Sequence, residues 1–398
     1  MRAATRLDSL GTEQAYLVLG AARQLEAAGH DVVHLEIGEP DMPTPPHVVD
    51  AGVRALRDGR TRYALAAGIP ELRDAIARSL AARGVRASAE NVVVTPGAKP
   101  MLFSAALALI EPGDEVLTPD PGFPIYESVV RFAGGRPVYY PLAEARAFAP
   151  DVAALAERIT PRTRALILNA PHNPTGGVAT AGDLAALAEL AQRHDLWVIA
   201  DEVYGQIRFD GACDSIAALP GMAERTVIVD GFSKTYSMTG WRLGYGFMPA
   251  WLAEPITTLV INNVSCTATF VQYAGLAALT GPQDAVTRMV SRLRTKRDLL
   301  VGGLNGIDGV TCATPAGAFY CFPDIGGVLE RTGLTCETFA ERLLAEHHTA
   351  VLAGTAFGPG GAEHLRLCYA TEPVALERAL ARLRTFVTAL TPAGAGLA

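Results

Sequence analysis

The feature that most constrains the fold is an alternation between short, continuously apolar segments and longer helical patterns. The run Ala165-Leu166-Ile167-Leu168 contains no polar side chain, which indicates a strand buried on both faces and hence a largely parallel sheet. Helical periodicity is clear at Met101–Ile110 and Ala181–Asp195. Seven strands of this sheet are predicted at Asn91–Thr95, Glu115–Thr118, Pro137–Tyr140, Ala165–Asn169, Trp197–Ala200, Thr226–Val229 and Leu243–Met248. The pattern predicts an α/β protein with a mostly parallel, seven-stranded central sheet.

The pattern of predicted helices and strands changes after Pro282. A long arginine-rich helix, Asp284–Leu304, precedes a smaller α+β section. Strands are predicted there near Ala318–Phe322, Ala350–Leu352 and Leu365–Tyr369, and near Val32–Ile37 in the N-terminal segment. We therefore expect a large domain over residues 48–285 and a smaller α+β domain built from both chain ends, residues 1–47 and 286–398.

Composition excludes several classes of protein. Of the 398 residues 49% are apolar, and a net charge of −7 without basic runs argues against nucleic acid as a partner. No apolar run approaches the roughly 18 residues of a membrane helix, and the N-terminus lacks the apolar core of a signal peptide, so we expect a cytoplasmic protein. The six cysteines (Cys213, Cys266, Cys312, Cys321, Cys336 and Cys368) form no C-x-x-C pair, and neither a disulfide framework nor a metal site is predicted.

Lysine is scarce in this sequence. Of the 34 basic residues only Lys99, Lys234 and Lys296 are lysines. Codon bias explains the arginine-rich surface, but any chemistry that needs a lysine has only these three places. Lys296 lies on the arginine-rich helix, and no role is predicted for it.

The first candidate site follows the strand Thr226–Val229. A lone lysine in a loop is usually solvated, but Lys234 has Ser233 before it and Arg242 eight residues after it. A hydroxyl and a guanidinium can hold a phosphate next to an amine that is able to form a Schiff base. Ligands of open parallel sheets bind outside the carboxyl ends of the strands, which is where this segment falls.

Two further candidates also follow predicted strands. Asp201 directly follows the strand Trp197–Ala200. It either caps a helix or holds a proton on a heterocyclic nitrogen. Tyr204 could donate to a neighbouring phenolate. Asn173 lies in a turn made rigid by proline and glycine, which fixes its amide as a donor to an anionic oxygen.

Two weaker signals complete the set. Gly97, Ala98 and Lys99 join a strand to a helix, and free N–H groups at a helix start can hold phosphate. Arg366 lies on a late predicted strand, where a guanidinium could clamp a carboxylate.

Taken together, these motifs resemble the class I/II aminotransferases, a family of fold-type I enzymes that depend on pyridoxal 5'-phosphate (PLP). The resemblance runs nearly end to end, and the order and spacing of several motifs make it specific. The motifs are Ile37-Gly38-Glu39-Pro40-Asp41, Pro70-Glu71-Leu72-Arg73, Asn173-Pro174-Thr175-Gly176, Ser233-Lys234 and Arg366.

The resemblance implies a role for each candidate around the cofactor. By this match Lys234 is the catalytic residue that links covalently to PLP and later moves a proton at the substrate Cα. Asp201 would pair with the pyridine nitrogen of PLP, and Phe123 would stack on the ring. The phenolic oxygen would be bound by Tyr204 and Asn173, and the phosphate by Ser233, Arg242, Gly97, Ala98 and Lys99.

The resemblance also implies how substrate and partner bind. The substrate α-carboxylate would be held by Arg366, the Gly38 backbone and Asn173. Tyr63 matches a tyrosine that reaches the phosphate in the neighbouring subunit, which implies a homodimer with sites at the interface. The sequence departs from the family pattern at Gly231, His172 and Cys368, where serine or another small polar residue is usual.

Two enzymatic hypotheses follow. The first is ping-pong transfer of an α-amino group from an L-amino acid to a 2-oxo acid. Lys99 aligns with a lysine that contacts the distal carboxylate of acidic substrates in one branch of the family, which favours aspartate or glutamate; holding phosphate is an equally good interpretation of Lys99. The alternative is a non-transaminating PLP enzyme of a specialised biosynthetic pathway, which catalyses elimination, replacement, cyclisation or oxidation.

Overall fold

The structure, a computed structural model, describes residues 3–211 and 214–390. Cys213 lies outside the described residues, and each of the five other cysteines is free. The helices are α1 Gln14–Ala27, α2 Pro46–Arg57, α3 Pro70–Ala81, α4 Ala98–Leu109, α5 Ile125–Phe132, α6 Val152–Ala156, α7 Ala181–Arg193, α8 Phe232–Thr235, α9 Ala250–Val264, α10 Thr269–Thr280, α11 Asp284–Leu304, α12 Gly326–Thr332, α13 Cys336–His347 and α14 Pro373–Leu390. Across the described residues, no helix combines the length and the apolar character needed to cross a membrane.

The strands confirm the predicted central sheet. They are β1 Val33–His34, β2 Val92–Thr95, β3 Glu115–Asp120, β4 Arg136–Pro141, β5 Thr163–Asn169, β6 Trp197–Asp201, β7 Thr226–Gly231, β8 Gly244–Phe247, β9 Tyr320–Cys321, β10 Thr349–Ala350, β11 Leu352–Ala353 and β12 Leu365–Cys368. The seven-stranded sheet has the order β2-β8-β7-β6-β5-β3-β4. Only β8 runs against its neighbours in this sheet, so the carboxyl ends of the other six strands share one edge.

The continuous apolar character of β5 results from burial on both faces of the sheet. Ala165 and Ile167 pack into the cluster formed with α4, α5 and α9. Leu166 and Leu168 point the other way and pack with α7. Because successive side chains of a strand alternate between faces, a strand between two helical layers must be apolar at every position.

Helix α7 begins with a capping box formed by Thr180 and Asp183. The Thr180 hydroxyl accepts from the Asp183 N–H, and the Asp183 carboxylate accepts from the Thr180 N–H, so each satisfies a backbone donor that the first turn leaves free. The predicted start at Ala181 is confirmed.

The smaller sheets bring segments from both chain ends together. Strand β1 pairs in parallel with β10, and β11, β12 and β9 form an antiparallel sheet. The strand predicted at Ala350–Leu352 is wrong as a single element, because the chain changes sheet at Val351 and forms two short strands instead. The pairing of β1 with β10 is what a small domain made from both chain ends requires, and the domain boundaries stay a prediction.

The amino edge of the central sheet ends in a charged cluster around Glu115. Its fully buried carboxylate accepts hydrogen bonds from Arg136 Nη2 at 2.5 Å, Thr160 Oγ1 at 2.7 Å and Arg162 Nε at 2.9 Å. The bond from Arg136, then that from Thr160, lowers the pKa of Glu115 to about 2. The carboxylate therefore stays ionised in spite of its burial.

Lys296 has a structural partner that the sequence did not indicate. Its side chain is only 3% exposed, and its ammonium forms an ion pair with Asp41. Since α11 carries Lys296 and Asp41 follows β1, this pair joins the long helix to the segment that contains Gly38. The arginine-rich pattern around Lys296 is typical of a solvated helix face. No role was predicted for Lys296 for this reason, although the residue is buried and ion-paired.

Candidate active site

A cavity of about 530 Å³ opens at the carboxyl edge of the central sheet. Residues at or just after the ends of successive strands line it, as expected for an open parallel sheet. The cavity lining includes eleven of the thirteen predicted site residues: Gly38, Ala98, Lys99, Phe123, Asn173, Asp201, Tyr204, Ser233, Lys234, Arg242 and Arg366. Residues that are up to about 330 positions apart in the chain therefore meet in one cleft.

Lys234 lies on the short helix α8, directly after β7. Its Nζ donates to the Gly38 carbonyl at 2.6 Å and lies 5.8 Å from the centre of the Phe319 ring. Burial lowers the pKa of Lys234 to about 8, because the charged ammonium loses hydration; the nearby cations Arg366 and Lys99 add to this effect, and Cys368 and Glu39 oppose it. A sizeable fraction of the amine is therefore neutral near physiological pH.

Asp201 is the last residue of β6 and is 7% exposed. Tyr126 donates to its Oδ2 at 2.7 Å, and the Val203 N–H donates to its Oδ1 at 3.3 Å. Burial raises the pKa of Asp201 to about 6 in spite of these two bonds. Residues 203–206 form a turn, so Asp201 is not a helix cap, and the carboxylate faces the cleft.

Two asparagines, Asn169 at the end of β5 and Asn173 in the turn that follows, are held in fixed positions. Asn169 donates to the Asp201 carbonyl at 2.9 Å and accepts from the Asn173 N–H at 2.9 Å. Asn173 Oδ1 accepts from Arg366 Nη1 at 3.3 Å, which leaves the amide NH2 of Asn173 as its outward donor. His172 does not line the cleft: it is buried, with Nδ1 2.9 Å from Thr175 Oγ1.

Arg366 is held on β12 with its guanidinium in the cleft wall. It is 4% exposed and lies 4.6 Å from the ring centre of Tyr320 and 5.0 Å from that of Phe357. Its Nη2 donates to the Glu36 carbonyl, and its buried Nε has no protein partner. An arginine that is buried, aromatic-stacked and incompletely bonded is suited to bind an anion.

Aromatic hydroxyls close the floor of the cleft near Gly38. The hydroxyls of Tyr204 and Tyr320 lie 2.7 Å apart. A Cβ on Gly38 would collide with the Tyr320 hydroxyl, so this close approach requires glycine. Gly38 itself lines the cavity.

A glycine turn and an arginine meet at the start of α4. Gly97 has φ 99°, a conformation that favours glycine, and a Cβ there would collide with the Arg242 guanidinium. Gly97 itself is not in the cavity lining, but the next residues, Ala98 and Lys99, line the cavity and belong to the first turn of α4, whose N–H groups have no acceptor within the helix. Arg242 Nη1 donates to the Thr239 carbonyl at 2.7 Å.

Tyr63 is the sequence-predicted site residue that the structure does not bring to the cleft. It is 88% exposed and absent from the cavity lining of its own chain. A surface position is what a residue directed at a neighbouring subunit needs, and its role stays a prediction.

Sequence reasoning missed the contribution of the N-terminal helix and of two tyrosines. Tyr126 and Tyr320 carry no motif of their own and are recognised only by their contacts with Asp201 and Tyr204. The missed N-terminal residues are Glu13, Ala15, Tyr16 and Leu19, which line one side of the cleft. Nothing in the amphipathic pattern of α1 indicates which surface it covers.

Comparison with known proteins identifies the family. The sequence profile described as aminotransferase class I and II matches residues 30–383. An aspartate aminotransferase of Geobacillus stearothermophilus is 38% identical over 98% of this chain and 100% of that protein. The aromatic-amino-acid aminotransferase 2 of Thermococcus litoralis is 37% identical over 96% of this chain and 97% of that protein. The structure of Thermus thermophilus aspartate aminotransferase with maleate has a TM-score of 0.91 at 37% identity, covering 97% of this chain and 100% of that one.

The chain therefore belongs to the class I and II aminotransferase family. As a member of it, this protein is an enzyme of fold type I that depends on pyridoxal phosphate and transfers amino groups.

Proposed function

We propose that this enzyme transfers the α-amino group of an L-amino acid to a 2-oxo acid by a ping-pong mechanism, with aspartate or glutamate as one of its substrates. The observation that carries the proposal is that a partly neutral Lys234 amine and the buried Asp201 carboxylate line the same cleft at one edge of the sheet. The names of the relatives support an acidic substrate, since several of them are aspartate aminotransferases.

The residues of the cleft fit the cofactor. The buried Asp201 carboxylate has hydrogen-bond donors but no cationic side chain bonded to it, which suits a protonated ring nitrogen. The Gly97 turn, which a Cβ would fill, lies next to Arg242 and the start of α4, which suits a phosphate. When bound, PLP supplies a protonated ring that withdraws electrons from the substrate Cα.

We assign the chemical steps to two residues of this chain. Lys234 would hold the cofactor through its Nζ and would act as the base that moves the proton between the substrate Cα and the cofactor. This general base has a pKa of about 8, close to the working pH, as efficient proton transfer requires. Asp201 holds the proton on the ring nitrogen, and Tyr126 fixes the carboxylate for that task.

The remaining residues bind and orient. We assign the phosphate to Ser233, Arg242 and the backbone of Gly97, Ala98 and Lys99. Tyr204 and Asn173 would bind the phenolic oxygen of the cofactor, and Phe123 would stack on its ring. All of these residues except Gly97 line the cavity, and this supports the assignment of their roles.

We assign the substrate α-carboxylate to Arg366, with the Gly38 backbone and the Asn173 amide. Arg366 is preset for this task, because Asn173 and the Glu36 carbonyl already fix its terminal nitrogens. Lys99, whose side chain is 42% exposed in the cleft wall, is a cation available to a distal carboxylate of the substrate. A homodimer completed by Tyr63 and a cytoplasmic location remain part of the proposal.

The half-reaction of the purified holoenzyme tests the proposal. With aspartate alone, we expect the absorbance of the lysine-linked cofactor to disappear while one equivalent of the matching 2-oxo acid forms. Addition of a 2-oxo acid should then restore the original spectrum, and full kinetics should give parallel double-reciprocal plots. A product other than the 2-oxo acid, such as an eliminated or rearranged amino acid, would instead establish the non-transaminating alternative.

A further inference from the structure

We propose that Glu13 is an internal counter-ion of Lys99, which lets one cleft accept amino acids with neutral side chains when the ion pair is closed and with acidic side chains when it is open. The inference rests on the proposed transamination and concerns the same cleft. It assigns substrate selection to Glu13, which precedes α1 and does not belong to the strand ends of the central sheet.

The ion pair lies in the wall of the cleft. Glu13 immediately precedes α1, Lys99 is in the first turn of α4, and the Glu13 carboxylate contacts Lys99 Nζ. Both residues line the cavity, and their side chains are 22% and 42% exposed. Lys99 Nζ also lies 5.5 Å from the centre of the Phe123 ring, which lines the same cavity.

The cavity wall that contains the pair also has apolar parts. Ala15 and Tyr16, which follow Glu13 closely in the chain, line the cavity together with Leu19 and Ile37. With the pair closed, the two charges cancel, and a neutral substrate side chain meets an apolar wall without covering an unpaired charge. Covering a lone ammonium with an apolar group would cost much more, because the ammonium would lose hydration without gaining a partner.

An acidic substrate can open the pair by exchange. A partly exposed ion pair contributes little stability, so its opening is not a large barrier. The distal carboxylate of the substrate then replaces the Glu13 carboxylate on Lys99, one anion for another.

Glu13 has a second position available when it is displaced. It occupies the N-cap of α1 with extended backbone angles, φ −79° and ψ 111°, yet its side chain makes no capping hydrogen bond. The free N–H groups and the positive dipole end of this 14-residue helix would stabilise the released carboxylate.

The test measures the half-reaction of the holoenzyme with aspartate and, separately, with phenylalanine, so that no second substrate affects the result. We compare the wild type, Glu13→Gln, and the control Glu26→Gln, which changes an exposed glutamate on the same helix away from the cleft. Glu13→Gln leaves Lys99 without a competitor. Its efficiency should rise about two- to fivefold with aspartate and fall about two- to fivefold with phenylalanine, while the control leaves the ratio unchanged.

A double variant separates charge from helix placement. Glu13→Gln combined with Lys99→Gln should restore the phenylalanine efficiency and reduce that of aspartate below the wild-type value. The inference is overturned if Glu13→Gln changes both substrates by the same factor, or if the wild type reacts with cationic amino acids and this variant loses them. If no amino acid converts the wild-type holoenzyme, the transamination proposal itself is wrong, and this inference with it.

Discussion

The two edges of the central sheet carry carboxylates with opposite pKa shifts. At the amino edge, three donors surround Glu115 and lower its pKa to about 2. At the carboxyl edge, burial raises the pKa of Asp201 to about 6, and burial also lowers the pKa of Lys234 to about 8. The first edge stabilises its charge, whereas the second edge disfavours both of its charges.

The difference separates stability from function within one sheet. Charges that the protein alone satisfies serve the fold, as at Glu115. Charges that the protein leaves under-compensated are ready for a ligand, which supplies the missing partner on binding. Each prediction below changes one of these edges and asks which property responds.

The largest effect is expected from the loss of Lys234. Lys234→Ala removes the amine. Lys234→Arg keeps a cation, but the guanidinium stays protonated and therefore cannot form the covalent link. Both should reduce turnover at least about 10⁴-fold and abolish the absorbance of the linked cofactor. Retention of that absorbance in either variant would show that another amine holds PLP.

Asp201→Asn should lower turnover by about 10²–10³-fold, because it removes the charge that keeps the ring nitrogen protonated. Without cofactor the same variant should be more stable than the wild type. A carboxyl pKa raised by folding means that the ionised group destabilises the fold above its ordinary pKa of 3.8. The gain at pH 7 should be about 1–3 kcal/mol by denaturant titration, and a loss of stability would contradict the assignment.

The pH dependence of cofactor attachment tests the pKa of Lys234. Only the neutral amine attacks the PLP aldehyde, so the rate at which the cofactor-free chain takes up PLP should fall about tenfold per pH unit below pH 8 and level off above it. Stopped-flow absorbance from pH 6 to about 10 measures this profile. A break near the ordinary lysine value would show that burial does not act on this amine.

A smaller effect is expected from Tyr126→Phe, which removes one hydrogen bond to Asp201 without changing its burial. Turnover should fall about tenfold, the lower end of what one bond to a charged group contributes. Tyr140→Phe is a matched control, because the Tyr140 hydroxyl is equally buried but donates to the Ile167 carbonyl. Equal losses in the two variants would indicate a general packing effect.

At the amino edge, Glu115→Gln should leave turnover unchanged and lower the free energy of unfolding by about 1–2 kcal/mol at pH 7. Folding lowers the pKa of Glu115, so its contribution is complete above the ordinary value of 4.5 and is lost as the pH falls toward about 2. The difference from the wild type should therefore shrink in that interval. A change in turnover would show that the two edges are coupled.

The sequence predicted the residues that a parallel sheet must gather, and it missed those that only tertiary packing brings in. Lys234, Asp201 and Asn173 each follow a strand, so topology alone places them together. Arg366 and Gly38 needed the family resemblance, since an arginine on a late strand and a glycine near the N-terminus carry no signal by themselves.

The errors have a common physical origin. Glu13 enters the cleft because α1 packs over it, and Lys296 is buried because Asp41 meets it. Both contacts join parts of the chain that are far apart in sequence, so local charge patterns could not reveal them. The strand predicted at Ala350–Leu352 divides at Val351 for a similar reason, since its two halves pair with different partners.

The scarcity of lysine gives this enzyme a built-in chemical handle. Apart from the amino terminus, its only primary amines are Lys234 inside the cleft, Lys296 at 3% exposure and Lys99 at 42%. Besides the amino terminus, an amine-reactive fluorophore should therefore attach to Lys99 in the cleft wall without any engineered cysteine or tag. The label would report directly on occupancy at the one position where the sequence left two interpretations open.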